Sequence, residues 1–299
     1  MIDLELQDVH VLVTGASGGI GLETANLFLE QGAKVTAHYN SNSSTISPLI
    51  SKFGSAKIQA VQANLSSSES EISNLFAAAV QSFGPVQVVV NNHGIWPTHD
   101  APLASMSLDQ WRKTIDVNLT STFLIVREYL SGLKKEGVTE EQKAKAAFVF
   151  VGSSAGKVGE AMHADYATSK SALFGLMLSM KNEIVKIAPK GRVNIVSPGW
   201  VKTPMAAEAL KDPMVIYRAL ATTPLKKVGL PYDIATQIVF LSSNKVSGHV
   251  TGEILNVNGG LEGDFLNLEI LEKTSGNSDV LFPVGRLLNL QEEIDYERI

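Results

Sequence analysis

Two side chains four residues apart, Tyr166 and Lys170, have the types and the spacing for proton transfer. On a helix they share one face, with Cβ atoms roughly 5–6 Å apart, so the ammonium can lie beside the phenol. Lowering the pKa of a phenol from about 10 by ~3 units takes about 4 kcal/mol, which one cation at ~4 Å supplies at an effective dielectric constant of about 20. The pair therefore predicts a phenol that donates and accepts a proton near neutral pH. Taken alone, the spacing also fits a packed ring beside a solvated lysine, which is the commoner arrangement.

A glycine-rich turn, Thr14-Gly-Ala-Ser-Gly-Gly-Ile-Gly21, follows a short β-branched run at residues 9–14. Apolar residues at helical spacing come next and stop at Gly32. In a strand, glycine turn and helix of this kind, the free N–H groups of the helix N-terminus bind a pyrophosphate. We predict a dinucleotide-binding turn, with an ordinary turn as the alternative.

The second predicted strand, residues 34–39, ends in Asn40-Ser-Asn-Ser-Ser44 and carries no acid. In dinucleotide-binding folds, an acid at this point binds the adenosine ribose hydroxyls and repels a 2′-phosphate. Small polar side chains there can instead donate hydrogen bonds to a 2′-phosphate. This favours NADP over NAD, while a plain surface loop is the alternative.

The elements that must position these groups alternate along the chain. Apolar runs predict strands at residues 9–14, 34–39, 58–63, 86–90, 146–151, 191–196 and 251–257. Helical patterns occupy residues 66–83, 107–136, 166–188 and 231–241. Because parallel strands need crossover connections, this order predicts an α/β fold with a doubly wound parallel sheet. Residues 200–229, irregular and rich in Met, Pro and Ala, predict a mobile helical insert over the site.

Composition excludes several classes of function. The chain has 299 residues, of which 44% are hydrophobic, and a net charge of −5 argues against nucleic acid or an anionic membrane as a partner. It has no cysteine, and its six histidines form no i, i+4 pair, so we expect no disulfide and no catalytic metal. The N-terminus is not a secretory signal, and no apolar run approaches the ~20 residues of a membrane span. A cytoplasmic location is therefore expected.

Six motifs occur along the chain in an order that resembles the classical short-chain dehydrogenase/reductase family. They are Thr14-Gly-x-x-x-Gly-x-Gly21, Asn91-Asn-x-Gly94, Asn118, Ser153, Tyr166-x-x-x-Lys170 and Pro198-Gly199. The resemblance covers about residues 5–260. It implies a Rossmann-type sheet of about seven strands, a single domain over residues 1–260, and a homodimer or homotetramer. It also implies hydride transfer between a nicotinamide dinucleotide and a carbonyl or secondary alcohol.

The resemblance assigns roles to four residues. Tyr166 is the general acid for ketone reduction and the base for the reverse reaction. Lys170 holds the nicotinamide ribose and lowers the pKa of the Tyr166 phenol. Ser153 hydrogen-bonds the substrate carbonyl, and we prefer it to Ser154 because the family spacing to the tyrosine is thirteen residues. Asn118 anchors a water that leads from Lys170 to solvent, with a structural asparagine that kinks the helix as the alternative.

The resemblance also implies a set of cofactor-binding residues. They are Gly15, Ser17, Gly19, Ile20, Gly21, Tyr39, Asn40, Ser41, Asn64, Leu65, Asn92, Gly94, Tyr166, Lys170, Pro198, Gly199, Val201 and Thr203. Three positions depart from the family pattern. His93 replaces a small alanine beside the adenosine ribose, and we expect it to fill space. Asn64 replaces the aspartate that meets the adenine amine, and its amide oxygen can still accept. Gly18 stands where many NADP-preferring members have a basic residue, so NAD stays possible.

The substrate region is predicted only in outline. Trp96, His163, Trp200, Met205 and Met214 lie on segments that should surround the substrate. They favour an apolar or aromatic ketone over a charged sugar phosphate, although simple packing explains each of them too. A non-catalytic protein that senses redox state through a bound dinucleotide is the alternative from another class.

The C-terminal extension, residues 261–299, lies beyond the usual end of the family. Its polar and acidic stretches favour disorder. Its many leucines and phenylalanines favour a tail that packs on its own body or on a partner subunit. We predict the packed tail.

Overall fold

The computed structural model describes residues 3–66 and 68–261, which form a parallel sheet between two layers of helices. The strands of this part of the chain are β1 (His10–Val13), β2 (Lys34–Tyr39), β3 (Ile58–Gln62), β4 (Val88–Asn91), β5 (Ala147–Val151), β6 (Arg192–Pro198) and β7 (Ile254–Val257). All neighbours pair in parallel, in the order β3-β2-β1-β4-β5-β6-β7. This is the predicted doubly wound Rossmann-type sheet, and the seven strands expected from the family resemblance are confirmed.

Helices connect the strands and cover both faces of the sheet. They are α1 (Gly19–Glu30), α2 (Ser47–Phe53), α3 (Glu69–Phe83), α4 (Leu108–Ile115), α5 (Ser121–Leu133), α6 (Glu140–Lys143), α7 (Ala155–Val158), α8 (Ala164–Ile184), α9 (Pro213–Ala221), α10 (Pro231–Ser242) and α11 (Asn244–Ser247). A π-helical segment, Asp116–Thr120, joins α4 to α5, and a short 3₁₀ turn, Ala209–Lys211, precedes α9. None of the helices described here is both long and apolar enough to cross a membrane.

The core consists of two apolar clusters, one on each face of the sheet. Along β4, Val88 and Val90 point into the cluster that α1 and α10 cover, whereas Val89 points into the cluster under α3, α5 and α8. Strands buried on both faces need apolar residues at every position, which is why β4 and β5 read as unbroken apolar runs.

Local sequence signals set the ends of the helices. In α3, the Ser68 side chain accepts a hydrogen bond from the Glu71 backbone N–H, and two acids in the first turn match the helix dipole. The helix ends at Gly84, whose φ of 78° is left-handed. The predicted helix over residues 66–83 is therefore confirmed, with its first turn shortened.

One helix differs from the sequence-based expectations. The helix predicted over residues 107–136 is divided, because a π-helical turn centred on Asn118 separates α4 from α5. The polar segment that follows, residues 137–145, contains α6, which a capping box at Thr139 starts. Residues 200–229 contain the helix α9, and their role as a mobile insert over the site stays a prediction. The predicted packing of the C-terminal tail concerns residues 262–299, which lie outside the described part of the chain.

Candidate active site

The turn between β1 and α1 is built around two glycines. Gly15 has a φ of 63°, in the left-handed region that glycine adopts without penalty. Gly21 is required by space, because a Cβ there would overlap the Gly15 carbonyl oxygen and lie 2.6 Å from Asn92 Nδ2. The Asn92 amide donates to the carbonyls of Thr14 and Gly15 at 2.9 and 3.1 Å. The turn is thereby held against the loop that follows β4.

The N-terminus of α1 fits a bound pyrophosphate. Its N-cap, Gly18, makes no side-chain cap hydrogen bond, and the first turn contains no acidic residue. The N–H groups of this turn and the positive end of the helix dipole therefore remain for an anion. Gly18, Gly19 and Ile20 all line the same cleft, so this donor set faces the space that a dinucleotide needs.

His93 links the glycine turn to the π-helical segment. Thr14 Oγ1 accepts from the backbone N–H groups of Asn92 and His93 at 3.0 and 3.2 Å, and its own hydrogen has two acceptors in reach, the Val90 carbonyl at 3.3 Å and His93 Nδ1 at 2.9 Å. His93 Nε2–H then donates to Ser121 Oγ at 2.7 Å, and Ser121 donates to the Val117 carbonyl at 2.7 Å. Burial lowers the pKa of the ring to about 3. His93 is therefore a neutral bridge, in agreement with the predicted structural role.

His38 is a part of the site that the sequence reasoning missed. Its Nδ1 accepts from the Gly15 backbone N–H at 3.0 Å, and its Nε2–H donates to the Ala63 carbonyl at 3.0 Å. Burial lowers the pKa of this ring, so His38 is a neutral strut between the glycine turn and the end of β3. The available signal was a polar residue inside the apolar run of β2.

Three of the four residues predicted to be catalytic converge at the end of β5. Ser153 follows β5 directly, and Tyr166 and Lys170 lie on the first turns of α8, with the Lys170 ammonium 5.8 Å from the centre of the Tyr166 ring. Lys170 Nζ donates to the Val151 carbonyl at 2.9 Å. All three line the same cleft as the glycine turn. The predicted grouping of a serine, a phenol and an ammonium at one point is thus present.

Desolvation is the main influence on the pKa values of Tyr166 and Lys170. Burial raises the pKa of Tyr166 to about 12, and the hydrogen bond with the Ser153 hydroxyl opposes this rise. Burial also lowers the pKa of Lys170 to about 8. The lowering of the phenol pKa by Lys170, which the family resemblance implies, stays a prediction.

Asn118 has a positioning function in the structure. Its Oδ1 accepts from the Ile95 backbone N–H at 2.8 Å, and its Nδ2 donates to the Ile95 carbonyl at 2.9 Å and to Ser169 Oγ at 3.0 Å. The buried amide therefore fastens the loop after Gly94 to α8. The water-anchoring role implied by the family resemblance stays a prediction.

A cleft of about 1600 Å³ runs along the carboxyl ends of the strands. It contains most of the predicted cofactor-binding residues: Gly15, Ser17, Gly19, Ile20, Asn40, Asn64, Leu65, Asn92, Gly94, Tyr166, Lys170, Pro198, Gly199, Val201 and Thr203. Its position between β1 and β4, where the strand order reverses, is where open α/β sheets bind ligands.

Three predicted cofactor-binding residues do not line this cleft. Gly21 is a packing glycine inside the turn. Tyr39 packs against the apolar cluster beneath α1, because its side chain points to the same face of β2 as Ala37. Ser41 lies beyond the cleft on the exposed loop. Asn64 does line the cleft, but its amide oxygen accepts from the Ser66 backbone and hydroxyl at 3.3 and 3.0 Å.

Aromatic side chains form the other end of the cleft. Trp96 stacks on His163 with centroids 4.5 Å apart and meets Trp200 edge-on at 6.2 Å. These three and Met205 line the cleft as predicted, whereas Met214 does not, because its helix presents Val215 instead. The sequence reasoning missed Glu160, whose carboxylate accepts from Trp96 Nε1 at 3.0 Å. Only the fold brings these two residues together.

The described part of the chain contains no group of three histidine or acidic side chains able to hold a metal ion.

Comparisons with known proteins agree with this geometry. The family model described as enoyl-(acyl carrier protein) reductase matches residues 15–262. A 3-oxoacyl-[acyl-carrier-protein] reductase FabG of Vibrio cholerae is 36% identical over 261 residues, covering 86% of this chain and 99% of the relative. The chain belongs to the classical short-chain dehydrogenase/reductase family.

Other proteins similar to this chain are named for different activities. The L-rhamnose 1-dehydrogenase (NAD(P)(+)) of Azotobacter vinelandii is 36% identical, covering 88% of this chain and 99% of the relative. The crystal structure of a short-chain glucose/ribitol dehydrogenase from Brucella melitensis superposes with a TM-score of 0.76 at 32% identity, covering 87% of this chain and 99% of that one. The chain is thus similar to oxidoreductases that differ in substrate.

Proposed function

We propose that this protein is an NADP(H)-dependent oxidoreductase that interconverts a carbonyl compound and a secondary alcohol. The observation that carries the proposal is the convergence of Ser153, Tyr166 and Lys170 in the cleft that also contains the uncapped N-terminus of α1. One end of the cleft fits a pyrophosphate, and the other presents a phenol and a hydroxyl to a substrate oxygen.

In the direction of reduction, the bound nicotinamide supplies the hydride. The Ser153 hydroxyl and the Tyr166 phenol both approach the carbonyl oxygen, and Tyr166 donates its proton as the oxygen gains charge. A phenol with its pKa raised to about 12 is protonated at neutral pH, so it starts in the form that a general acid requires. For alcohol oxidation the phenol must first lose its proton, so oxidation should be favoured at higher pH.

Lys170 and Asn118 have supporting roles in this chemistry. The Lys170 ammonium is buried, and its neighbourhood includes the Tyr166 ring, so it can stabilise a phenolate while it donates to the ribose. Asn118 holds the backbone of Ile95 against α8, because it is hydrogen-bonded to both Ile95 and Ser169.

The preference for NADP rests on the loop after β2. Asn40 lines the cleft there, and the strand ends without the acid that would repel a 2′-phosphate. NAD is the second candidate, since Gly18 provides no cation for the phosphate.

We also expect a cytoplasmic homodimer or homotetramer. The outer faces of α5 and α8 expose Phe123, Leu178 and Val185, which favours burial against another subunit. Sedimentation velocity of the full chain measures this directly, and a monomer at micromolar concentration would contradict it.

The function is tested by mixing the protein with NADPH or NADH and a panel of ketones, and by following the loss of nicotinamide absorbance. We expect turnover with at least one ketone and a higher kcat/KM with NADPH. Cofactor binding without turnover on any ketone or alcohol would instead indicate the non-catalytic sensor.

A further inference from the structure

Glu160 places a carboxylate beside Trp96 and His163 in the cleft, which Asp100 also lines. Its Oε1 accepts from Trp96 Nε1 at 3.0 Å, and its side chain retains 26% of its exposure, directed to the cleft that it lines. Among the contacts of the described residues, Trp96 Nε1 donates to Oε1 and His163 Nδ1 lies 3.8 Å from the same oxygen, which leaves Oε2 to accept from a molecule in the cleft. Burial raises the pKa of the Glu160 carboxyl, and His163 and the hydrogen bond from Trp96 oppose this rise.

The loop that carries Glu160 is held rigidly. His163 stacks on Trp96 with an interplanar angle of 15°, and its Nε2 donates to the Pro97 carbonyl at 2.9 Å. The Met162 carbonyl accepts from the Ala101 backbone N–H at 3.1 Å. Met162 itself has a φ of 68°, a left-handed conformation that a non-glycine residue keeps only when its surroundings impose it.

The carboxylate also lies in the cleft that contains the catalytic groups. Glu160 and Tyr166 both line it, and the segment that carries Glu160 leads directly into α8, on whose first turn Tyr166 lies. A substrate whose carbonyl meets Tyr166 can therefore present a second group to Glu160. This is a specificity feature beyond the reaction itself.

We propose that Glu160 accepts a hydrogen bond from a hydroxyl group of the substrate, so that the preferred substrates are hydroxylated ketones and polyols. The inference rests on the proposed function and names the substrate class of the same site. A hydroxyl needs one acceptor, which Oε2 supplies, whereas an ammonium has three donors to satisfy. Trp96 and Trp200 provide apolar ring surface for the carbon skeleton. The expectation of an apolar or aromatic ketone rather than a charged sugar phosphate stays a prediction.

The test uses matched pairs that differ by one hydroxyl: 2-butanone with 1-hydroxy-2-butanone, and cyclohexanone with 2-hydroxycyclohexanone. We expect kcat/KM for the hydroxylated member to be higher by roughly 10²-fold or more, because a site built to bond a hydroxyl discriminates strongly against its absence. The Glu160→Leu variant should reduce this ratio at least ~10-fold, which separates binding from the greater intrinsic reactivity of hydroxyketones.

Trp96→Phe is the matched control, because it removes the indole donor and keeps the carboxylate. It should retain the preference for hydroxylated substrates. Equal loss of the preference in both variants would show that Glu160 serves only to hold Trp96, and would overturn the inference.

The remaining outcomes separate this inference from the proposed function. Turnover of both members of each pair at similar kcat/KM in the wild-type enzyme would overturn the hydroxyl site and leave the oxidoreductase intact. Preference for 1-amino-2-propanone over 1-hydroxy-2-propanone would also overturn it, in favour of a cation site. Binding of NADPH without turnover of any substrate would overturn the proposed function itself.

Discussion

Lys170 donates a hydrogen bond to the carbonyl of Val151 at 2.9 Å, so the lysine of α8 is tied to the last residue of β5. Only 5% of Lys170 is exposed, and this burial lowers the pKa of the ammonium to about 8. The protein thus maintains a poorly solvated cation directly below the phenol of Tyr166. A charge in this position costs stability and is retained for its effect on neighbouring groups.

The first prediction concerns the stability that is lost by burying the Lys170 ammonium. The unfolded lysine has its ordinary pKa of 10.5, so between pH 8 and 10.5 the unfolded chain binds more protons and stability rises with pH. At pH 7 the penalty is roughly 3 kcal/mol, and Lys170→Met should remove much of it. Denaturant unfolding should show the variant to be more stable at pH 7, with a gap that closes towards pH 10.5. The exposed Lys190→Met serves as the control, and a gap independent of pH would contradict the account.

The same variant tests the functional role of the cation. Lys170→Met should lose turnover and also bind cofactor more weakly, because the ammonium acts on both the phenol and the ribose. Fluorescence titration with NADPH provides the dissociation constant. An unchanged dissociation constant would show that Lys170 does not bind the ribose, and would leave only its electrostatic effect on the phenol.

A further prediction concerns the glycine turn. Gly21→Ala should destabilise the protein by about 1–3 kcal/mol, since its Cβ would overlap the Gly15 carbonyl. Gly132→Ala in α5 is the matched control, because a Cβ there meets nothing within 4 Å. That change should be neutral or stabilise by up to about 1 kcal/mol. Thermal unfolding distinguishes the two, and equal melting temperatures would refute the packing role of Gly21.

Acid lability follows from three neutral histidines, of which His10 and His38 are buried and His93 is half-buried. Desolvation lowers the pKa of His10 to about 4 and of His93 to about 3, and it lowers that of His38 as well. Below pH 6.5 the unfolded chain binds these protons first, so His10 and His93 each remove about 1.4 kcal/mol of stability per pH unit down to their pKa in the folded protein. His10→Gln should flatten the decline between pH 6.5 and 5, whereas the exposed His99→Gln should not. A decline of the same slope in His10→Gln would argue against a buried neutral ring.

A single substitution in the cleft should change the preference between NADPH and NADH. Asn40→Asp should reverse the preference for NADPH by about 10-fold or more in kcat/KM, because its carboxylate would repel a 2′-phosphate at short range. Tyr39→Asp is the comparison. Tyr39 ends β2, where dinucleotide-binding folds carry the acid, but its native side chain packs against the core rather than lining the cleft. A wild-type preference for NADH would show that the Asn-Ser run is only a surface loop.

The arrangement of strands and the position of the catalytic residues could be predicted because they depend on local patterns. Unbroken apolar runs, such as residues 88–90 of β4, identify strands that are buried on both faces. The spacing of Tyr166 and Lys170 on one helix identifies a pair. Their common location then follows from the topology, since the carboxyl ends of parallel strands share one edge.

Features that depend on packing between distant segments could not be predicted. Sequence spacing does not reveal that Trp96 and Glu160, sixty-four residues apart, form a hydrogen bond. The direction of the Tyr39 side chain depends on the register of β2, and the raised pKa of Tyr166 depends on how many groups desolvate the phenol. The π-helical turn at Asn118 likewise reflects its bonds to Ile95 and Ser169.

The central claim is that Tyr166 transfers the proton, and Tyr166→Phe tests it most directly. The change removes the phenolic hydroxyl and keeps the ring that packs beside Lys170. We expect kcat for ketone reduction to fall by at least ~10²–10³-fold while the NADPH dissociation constant stays nearly the same, because only the proton donor is lost. Near wild-type turnover in this variant, with intact cofactor binding, would contradict the account.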